Sequence, residues 1–234
     1  MSTPRALSGP DAPRRQINAH RREQLLDAAA ELLAENGRTG FTMEGIATRT
    51  GVSKALPYQH FANADQALIE LYRREIGWLT RRIAAGMEAA GELDDALRAA
   101  VREYFLAVDA RGAVLAALAG PGSDVPALVE ASQGSAPNYV AELLVRDYGV
   151  SPKRSEILAA IVASIVIAAS EAVARGLGTR RDAEEVAASS VLAAVHAEQG
   201  GAKAARRKAR DPKAPGPRAP DHSHSRSTQS LQAP

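Results

Sequence analysis

Residues 42–61 read Thr-Met-Glu-Gly-Ile-Ala-Thr-Arg-Thr-Gly-Val-Ser-Lys-Ala-Leu-Pro-Tyr-Gln-His-Phe, and this stretch decides the fold. A short helix starts near Thr42, whose hydroxyl suits an N-cap, and runs through Ile46 and Ala47 to about Thr50. Gly51-Val52-Ser53 forms a tight turn, and another short helix covers Lys54 to about Phe61. Ala47 precedes Gly51 by four residues, so a small side chain lets two helices approach while glycine permits the left-handed turn between them. Ile46, Val52 and Phe61 supply the apolar underside. The arrangement is a helix-turn-helix, whose second helix enters a major groove about 12 Å wide. An ordinary helical hairpin shares the small residues, but polar and aromatic side chains on the short last helix favour nucleic acid.

Outward from this stretch the pattern is helical almost throughout. Upstream, from about Ile17, the apolar stripe Leu25, Leu26, Ala29, Leu32 and Leu33 marks a helix that Asn36-Gly37 ends. Downstream, Asn63 caps a long helix with Leu68, Tyr72, Ile76, Leu79, Ile83 and Met87 on one face. Further helices are expected around 93–109, 111–119, 126–148, 152–177 and 181–198, with breaks at Gly- or Pro-containing stretches and at Asp109-Ala110-Arg111. Alanine is abundant and aromatics are only 4% of the chain, a bias toward helix over strand.

The net charge of +2 conceals an uneven distribution. Residues 1–22 carry five Arg and one acid, and residues 201–234 carry eight Lys/Arg and two acids. The body between them holds 16 Lys/Arg against 24 Asp/Glu. Two basic ends on an acidic body suit a polyanionic partner, because Lys and Arg laid on phosphates release condensed counterions. Solvated, disordered ends have the same composition.

The span from Arg22 to Leu68 resembles the N-terminal domain of TetR-type transcriptional regulators, the tetracycline-repressor family. The features that carry the resemblance are Ala28-Ala29, Leu32-Leu33, Gly37, Phe41-Thr42, Ile46-Ala47, Gly51-Val52-Ser53, Tyr58, His60-Phe61 and Leu68. It implies a homodimer whose two recognition helices read the half-sites of a palindromic double-stranded DNA operator about one turn apart. Thr42 matches a phosphate-contacting position. Ser53, Lys54, Ala55 and Leu56 fall at the turn and the exposed start of the recognition helix, and Tyr58 and His60 match side chains that reach phosphate or base edges. Lys54 can donate to guanine O6/N7, and Ala55 or Leu56 can touch a thymine methyl. Gln59 reads adenine or faces water, and His60 contacts DNA or packs the helix end.

Two positions depart from the family pattern. Pro57 replaces the usual leucine and removes a backbone N–H, so the recognition helix is expected to begin late or loosened. Ala64 stands where lysine is common, and Arg14, Arg15, Arg21 and Arg22 are candidates to replace that phosphate contact.

The resemblance further implies an unidentified small-molecule effector held between the fourth and eighth helices. Trp78, Tyr104, Phe105, Tyr139 and Leu143 are the candidate ligand-binding residues, core packing being the competing account. The helices at 152–177 and 181–198, nearly free of charge from Ile157 to Ala169, are candidates for a four-helix dimer interface. That run of 13 residues is shorter than a bilayer span, so no membrane role is expected.

Chemistry is sparse. Zero cysteine excludes disulfides, Cys-ligated zinc, iron–sulfur clusters and thiol nucleophiles. No phosphate-binding loop, His-Glu-x-x-His or Gly-x-Ser-x-Gly is present. His222 and His224 alone do not make a metal site. No catalytic residue, cofactor or metal is assigned, and the chain is not expected to be an enzyme. The expectation is an all-α cytoplasmic protein with a disordered basic arm over 1–16 and a helix-turn-helix DNA-binding domain over 17–63. A helical effector-binding and dimerisation domain follows over 64–199, then a disordered basic tail over 200–234. The function expected is a ligand-released repressor. The alternative is an effector-independent helical nucleic-acid binder that uses its basic ends.

Overall fold

The computed structural model describes the backbone of residues 11–120, 122–133 and 139–210. Among them the chain forms nine helices and no strand. In order these are α1 (Asp11–Asn36), α2 (Met43–Thr50), α3 (Ala55–His60), α4 (Ala64–Ala90), α5 (Leu93–Ala119), α6 (Val125–Gln133), α7 (Tyr139–Tyr148), α8 (Pro152–Ala174) and α9 (Arg180–Arg210).

Local chemistry fixes the boundaries nearest the helix-turn-helix. Thr42 Oγ1 accepts from the Gly45 N–H at 3.0 Å and starts α2. Gly51 stops it in the left-handed region at φ 67°, and the Val52 N–H donates to the Ala47 carbonyl at 3.1 Å. Asn63 Oδ1 accepts from the Gln66 N–H at 2.8 Å and starts α4. A capping box opens α9: the Asp182 N–H donates to Thr179 Oγ1, and the Thr179 N–H donates to Asp182 Oδ2. The Thr179 hydroxyl, which donates to Asp182 Oδ2 at 2.6 Å, and then the Thr179 N–H hold the Asp182 carboxyl below its ordinary pKa.

Several boundaries differ from the sequence expectation. Helix α1 begins at Asp11, inside the stretch expected as a disordered arm, and α9 continues through Gly200-Gly201 to Arg210. Residues 211–234, including His222 and His224, lie outside the described residues, as do residues 1–10. The expected break at Asp109-Ala110-Arg111, by contrast, is present as non-helical backbone at Arg111 (φ −144°, ψ 22°), a kink within α5. The expected helix over 126–148 is two, α6 and α7. The short apolar run at 157–169 is part of a 23-residue helix, α8, whose mean hydropathy reaches 2.3. By length and composition alone that helix is long enough to cross a membrane.

Two cores result. The first joins α1, α2, Phe61 and the start of α4 through Leu25, Leu33, Ile46, Phe61, Leu68 and Leu71. Leu118 of α5 and Val125 and Val129 of α6 close it from the far side. The second joins α5, α7, α8 and α9 through Phe105, Leu144, Leu158, Val191 and Val195. Helix α4 enters the first core with its N-terminal half and lines a large internal space beside the second with the remainder.

Candidate nucleic-acid interface and internal cavity

The turn and recognition helix stand on a filled base. Ile46, Ala47 and Phe61 are almost fully buried beneath them, and Val52 packs against the same core. Gly45 has a role that the sequence did not signal: a Cβ there would lie 2.7 Å from Leu32 Cδ2, so any larger residue has to push the Leu32 side chain aside for α2 to lie this close to α1. Arg49 then ties α2 to α1 through Glu35 and, at 3.3 Å, Glu31. That pairing raises the Arg49 pKa and lowers that of Glu35.

Pro57 does not delay the recognition helix. Helix α3 begins at Ala55, so the ring lies in the first turn, where backbone N–H groups lack intrahelical partners in any helix. The ring is buried, and the Pro57 carbonyl accepts from the Phe61 N–H at 2.9 Å.

Thr42, Ser53, Lys54, Ala55, Tyr58 and Gln59 are exposed, while Leu56 and His60 are half-buried. Tyr58 is 55% exposed although it is a large aromatic residue, so packing does not account for its position. The Thr42 hydroxyl is already engaged in capping α2. Lys54 Nζ lies 2.9 Å from Glu44 Oε1 in an exposed pair, an interaction worth about 0–1 kcal/mol that a phosphate can displace. His60 packs its ring near Phe61, at 6.4 Å between centroids. Burial, and then the charges of Arg22 and Arg21, hold its pKa below the ordinary value.

Of the arginines expected to replace the missing lysine, Arg22 is committed to internal contacts. It pairs with Glu70 and lies 5.1 Å from the centroid of the Phe61 ring, bracing α1 against the end of α3. Arg21 donates to Gln24 at 3.1 Å, Arg15 is exposed, and the Arg14 side chain lies outside the described residues.

The internal space is a cavity of about 1260 Å³ bounded by α4, α5, α6, α7, α8 and α9. Its wall is mainly aliphatic, with Ile76, Ile83, Val108, Leu143, Val166 and Val195 as representative members. Of the expected ligand-binding residues, Tyr104 and Leu143 line it. Trp78 and Phe105 do not. The Trp78 ring faces the Arg111 guanidinium at 4.4 Å, and Phe105 is buried in the second core with its ring edge-on to Tyr104. The Tyr139 side chain lies outside the described residues. Burial raises the Tyr104 phenol's pKa, so it is a neutral hydrogen-bonding group in the wall.

Between interface and cavity lies a buried carboxylate with no counterpart in the sequence reading. Glu75 of α4 is 1% exposed. Its Oε1 accepts from Arg74 Nε at 2.9 Å and its Oε2 from Arg111 Nη1 at 2.6 Å, at the kink in α5. Arg74 continues to Asp27 at 2.8 Å and Glu23 at 3.3 Å on α1. A charge chain therefore runs from the helix behind the helix-turn-helix, through α4, to the kink beside Gly112 of the cavity wall. Among the described residues no group of three or more His, Asp or Glu side chains is placed to hold a metal.

Comparison with known proteins agrees with this geometry. Residues 25–71 match the model of the bacterial regulatory proteins of the tetR family. The chain is 28% identical over 151 residues to the HTH-type transcriptional activator FasR of Mycolicibacterium smegmatis, covering 63% of this chain and 69% of that one. It is 36% identical over 87 residues to the HTH-type transcriptional regulator BetI of Rhizobium meliloti, covering 37% of this chain but only 43% of that one. In fold it is similar to a solved putative transcriptional regulator of Pseudomonas aeruginosa PAO1, with TM-score 0.60, 19% identity, and coverage of 81% of this chain and 94% of that one. The helix-turn-helix with its exposed α3 is thus a DNA-binding domain of the type that the tetR family model describes over residues 25–71, and the all-helical body behind it shares the fold of solved transcriptional regulators.

Proposed function

We propose that the protein is a ligand-released repressor that binds a palindromic operator as a homodimer. The observation that carries this reading is the double duty of α4. Its N-terminal half belongs to the filled core under the DNA-reading helix, and its C-terminal half is a wall of the 1260 Å³ cavity. A ligand that fills the cavity presses on α4 and displaces the attached helix-turn-helix. Two modules set for half-sites about one DNA turn apart then lose their spacing. The ligand needs only to bind the displaced state more tightly than the DNA-competent one.

On DNA, Lys54 and Gln59 are assigned to base edges and Ala55 and Leu56 to thymine methyls, with Thr42, Ser53, Tyr58 and His60 positioning the backbone. Dimerisation is assigned to α8 and α9. Ile157 is 58% exposed, Ile161 46% and Val186 64%, a strip of large apolar side chains left open on these two helices. A second copy covers such a strip in a two-fold interface, which also accounts for an α8 apolar enough to suit a bilayer. Operator binding places the protein in the bacterial cytoplasm, with the DNA.

The test is a gel shift on the promoter adjacent to the protein's own gene. Lys54→Ala and Tyr58→Ala are each expected to weaken binding about tenfold, the effect of losing about 1–3 kcal/mol of contact. Unchanged affinity in both variants defeats the site assignment. A salt-dependent shift that survives both but vanishes on deletion of 201–234 favours binding through the basic ends instead.

A further inference from the structure

The cavity wall contains three charged side chains, Arg73 and Arg81 of α4 and Glu171 of α8, and all three are exposed, which puts them at its opening. The two arginines differ from their neighbours. Arg74 and Arg82 are both engaged with carboxylates, whereas Arg73 and Arg81 make no ion pair among the described residues. Helix geometry places Arg73, Gly77 and Arg81 one turn apart along one face. Arg81 Nη1 lies 3.4 Å from the point that a Cβ on Gly77 would occupy. Its guanidinium therefore folds back over the glycine, one turn toward Arg73. A mid-helix glycine weakens the helix, and here it leaves the floor between two like charges open.

Two guanidiniums without an ion pair, both on the rim of an aliphatic cavity, give an anion a cationic edge to bind. The opening stays net positive with Glu171 counted. The cavity's 1260 Å³ exceeds the roughly 300–1,000 Å³ typical of sites for drug-sized ligands, which calls for a long apolar body behind the head. We propose that the effector is a long-chain amphiphile with an anionic head group, a carboxylate or a phosphate monoester. Arg73 and Arg81 hold the head, and the chain lies against Ile76, Ile83, Val108 and Val166. This rests on the reading of the cavity as an effector site.

The experiment titrates the full-length protein with four probes of one chain length, below micelle formation: palmitate, hexadecyl phosphate, 1-hexadecanol and hexadecyltrimethylammonium. Binding is read from the fluorescence of Trp78, the chain's single tryptophan, which sits on α4 between the wall residues Gly77 and Leu79. At least one anion is expected to bind tenfold or more tightly than hexadecanol, and the stronger of the two identifies the head group. In the Arg73→Gln/Arg81→Gln double variant that advantage disappears while hexadecanol affinity stays constant, which also reports an intact cavity. The Arg73→Lys/Arg81→Lys pair restores part of it. Equal affinity for anion and alcohol, or an anion preference that survives the glutamine pair, overturns the proposal. So does tightest binding of the ammonium probe with loss in Glu171→Gln. Failure of all four probes overturns both the proposal and the effector-site reading. An anion that binds through the arginines yet leaves the operator complex intact upholds the ligand class and defeats only ligand release.

Discussion

The two halves of this molecule use the same helix in opposite ways. Around the N-terminal part of α4, the large apolar side chains of α1 and α2 other than Ile17 are buried, and Leu25, Ile46 and Leu68 have no exposed surface. Around its C-terminal part, the aliphatic residues face an open interior. A filled core resists deformation, because close-packed side chains have discrete arrangements and little compressibility. A hollow one can accept a guest. A rigid reader whose core is shared with α4, α5 and α6 of an adaptable body suits a ligand-controlled binding site.

The largest expected effect tests that contrast. Phe61→Ala in the filled core should cost about 3–5 kcal/mol, the usual range for deleting a buried aromatic ring whose site cannot collapse. Leu143→Ala in the cavity wall should cost about 2 kcal/mol, the low end of the range for a buried leucine, because its methyl groups already border open space. Urea unfolding of both variants checks this. Equal losses would mean that the body is packed as tightly as the reader in solution, and the contrast would fail.

A smaller effect is expected where the halves are joined. Glu75 is the only charged residue in the described set that is buried to this degree. Glu75→Ala removes the charge-assisted hydrogen bonds to Arg74 and Arg111 but leaves half-buried Arg74 paired with Asp27 and Glu23, and should destabilise by about 2 kcal/mol. Arg111→Ala should cost less, because Arg111 is 41% exposed and Arg74 still neutralises Glu75. Because the chain continues to Asp27 on α1, both variants should also blunt the response of DNA binding to an effector, measured as the change in operator affinity with ligand present. Destabilisation with full ligand response would make Glu75 a structural group only.

The same contrast explains what could be read from the sequence. The reader was legible because its constraints are local. A cap at Thr42, a left-handed turn at Gly51, Ala47 at the crossing and a cap at Asn63 act within a few residues of one another. The body was legible as helices but not as a site, because a cavity depends on which faces of six helices are left unfilled. Aromatic residues were a poor guide to it: Phe105 packs the core and Trp78 holds Arg111, while the wall is built from aliphatic residues indistinguishable in sequence from a packed interior. The break expected at Asp109-Ala110-Arg111 was legible and stands as the kink at Arg111, whereas the single helix expected over 126–148 passed over Gly134 and Pro137, which lie in sequence between α6 and α7. Gly45 and Glu75 gave no local signal either. One looks like any helical glycine until Leu32 is placed beside it, and the other like any surface acid until Arg111 arrives from 36 residues away.

The smallest effect concerns protons at the reader. His60 sits at the end of α3 with its pKa depressed by burial and by the charges of Arg22 and Arg21, so it is neutral at pH 7 in the free protein. The unfolded chain, with an ordinary histidine pKa near 6.5, binds the proton more readily, so this residue makes the fold less stable as pH falls below about 6.5. Operator phosphates act in the opposite direction. A phosphate beside the ring favours the imidazolium, so binding takes up a proton and the affinity for DNA should rise as pH falls from 7.5 to 6. The slope is at most one proton per His60, or up to twofold to threefold per half unit of pH for each site. His60→Gln keeps a hydrogen-bond donor but cannot titrate, and should flatten the slope at constant salt. An unchanged slope in that variant would place His60 in the packing of Phe61 and Arg22 alone, leaving the DNA contacts to Lys54, Tyr58 and Gln59 on the exposed side of α3.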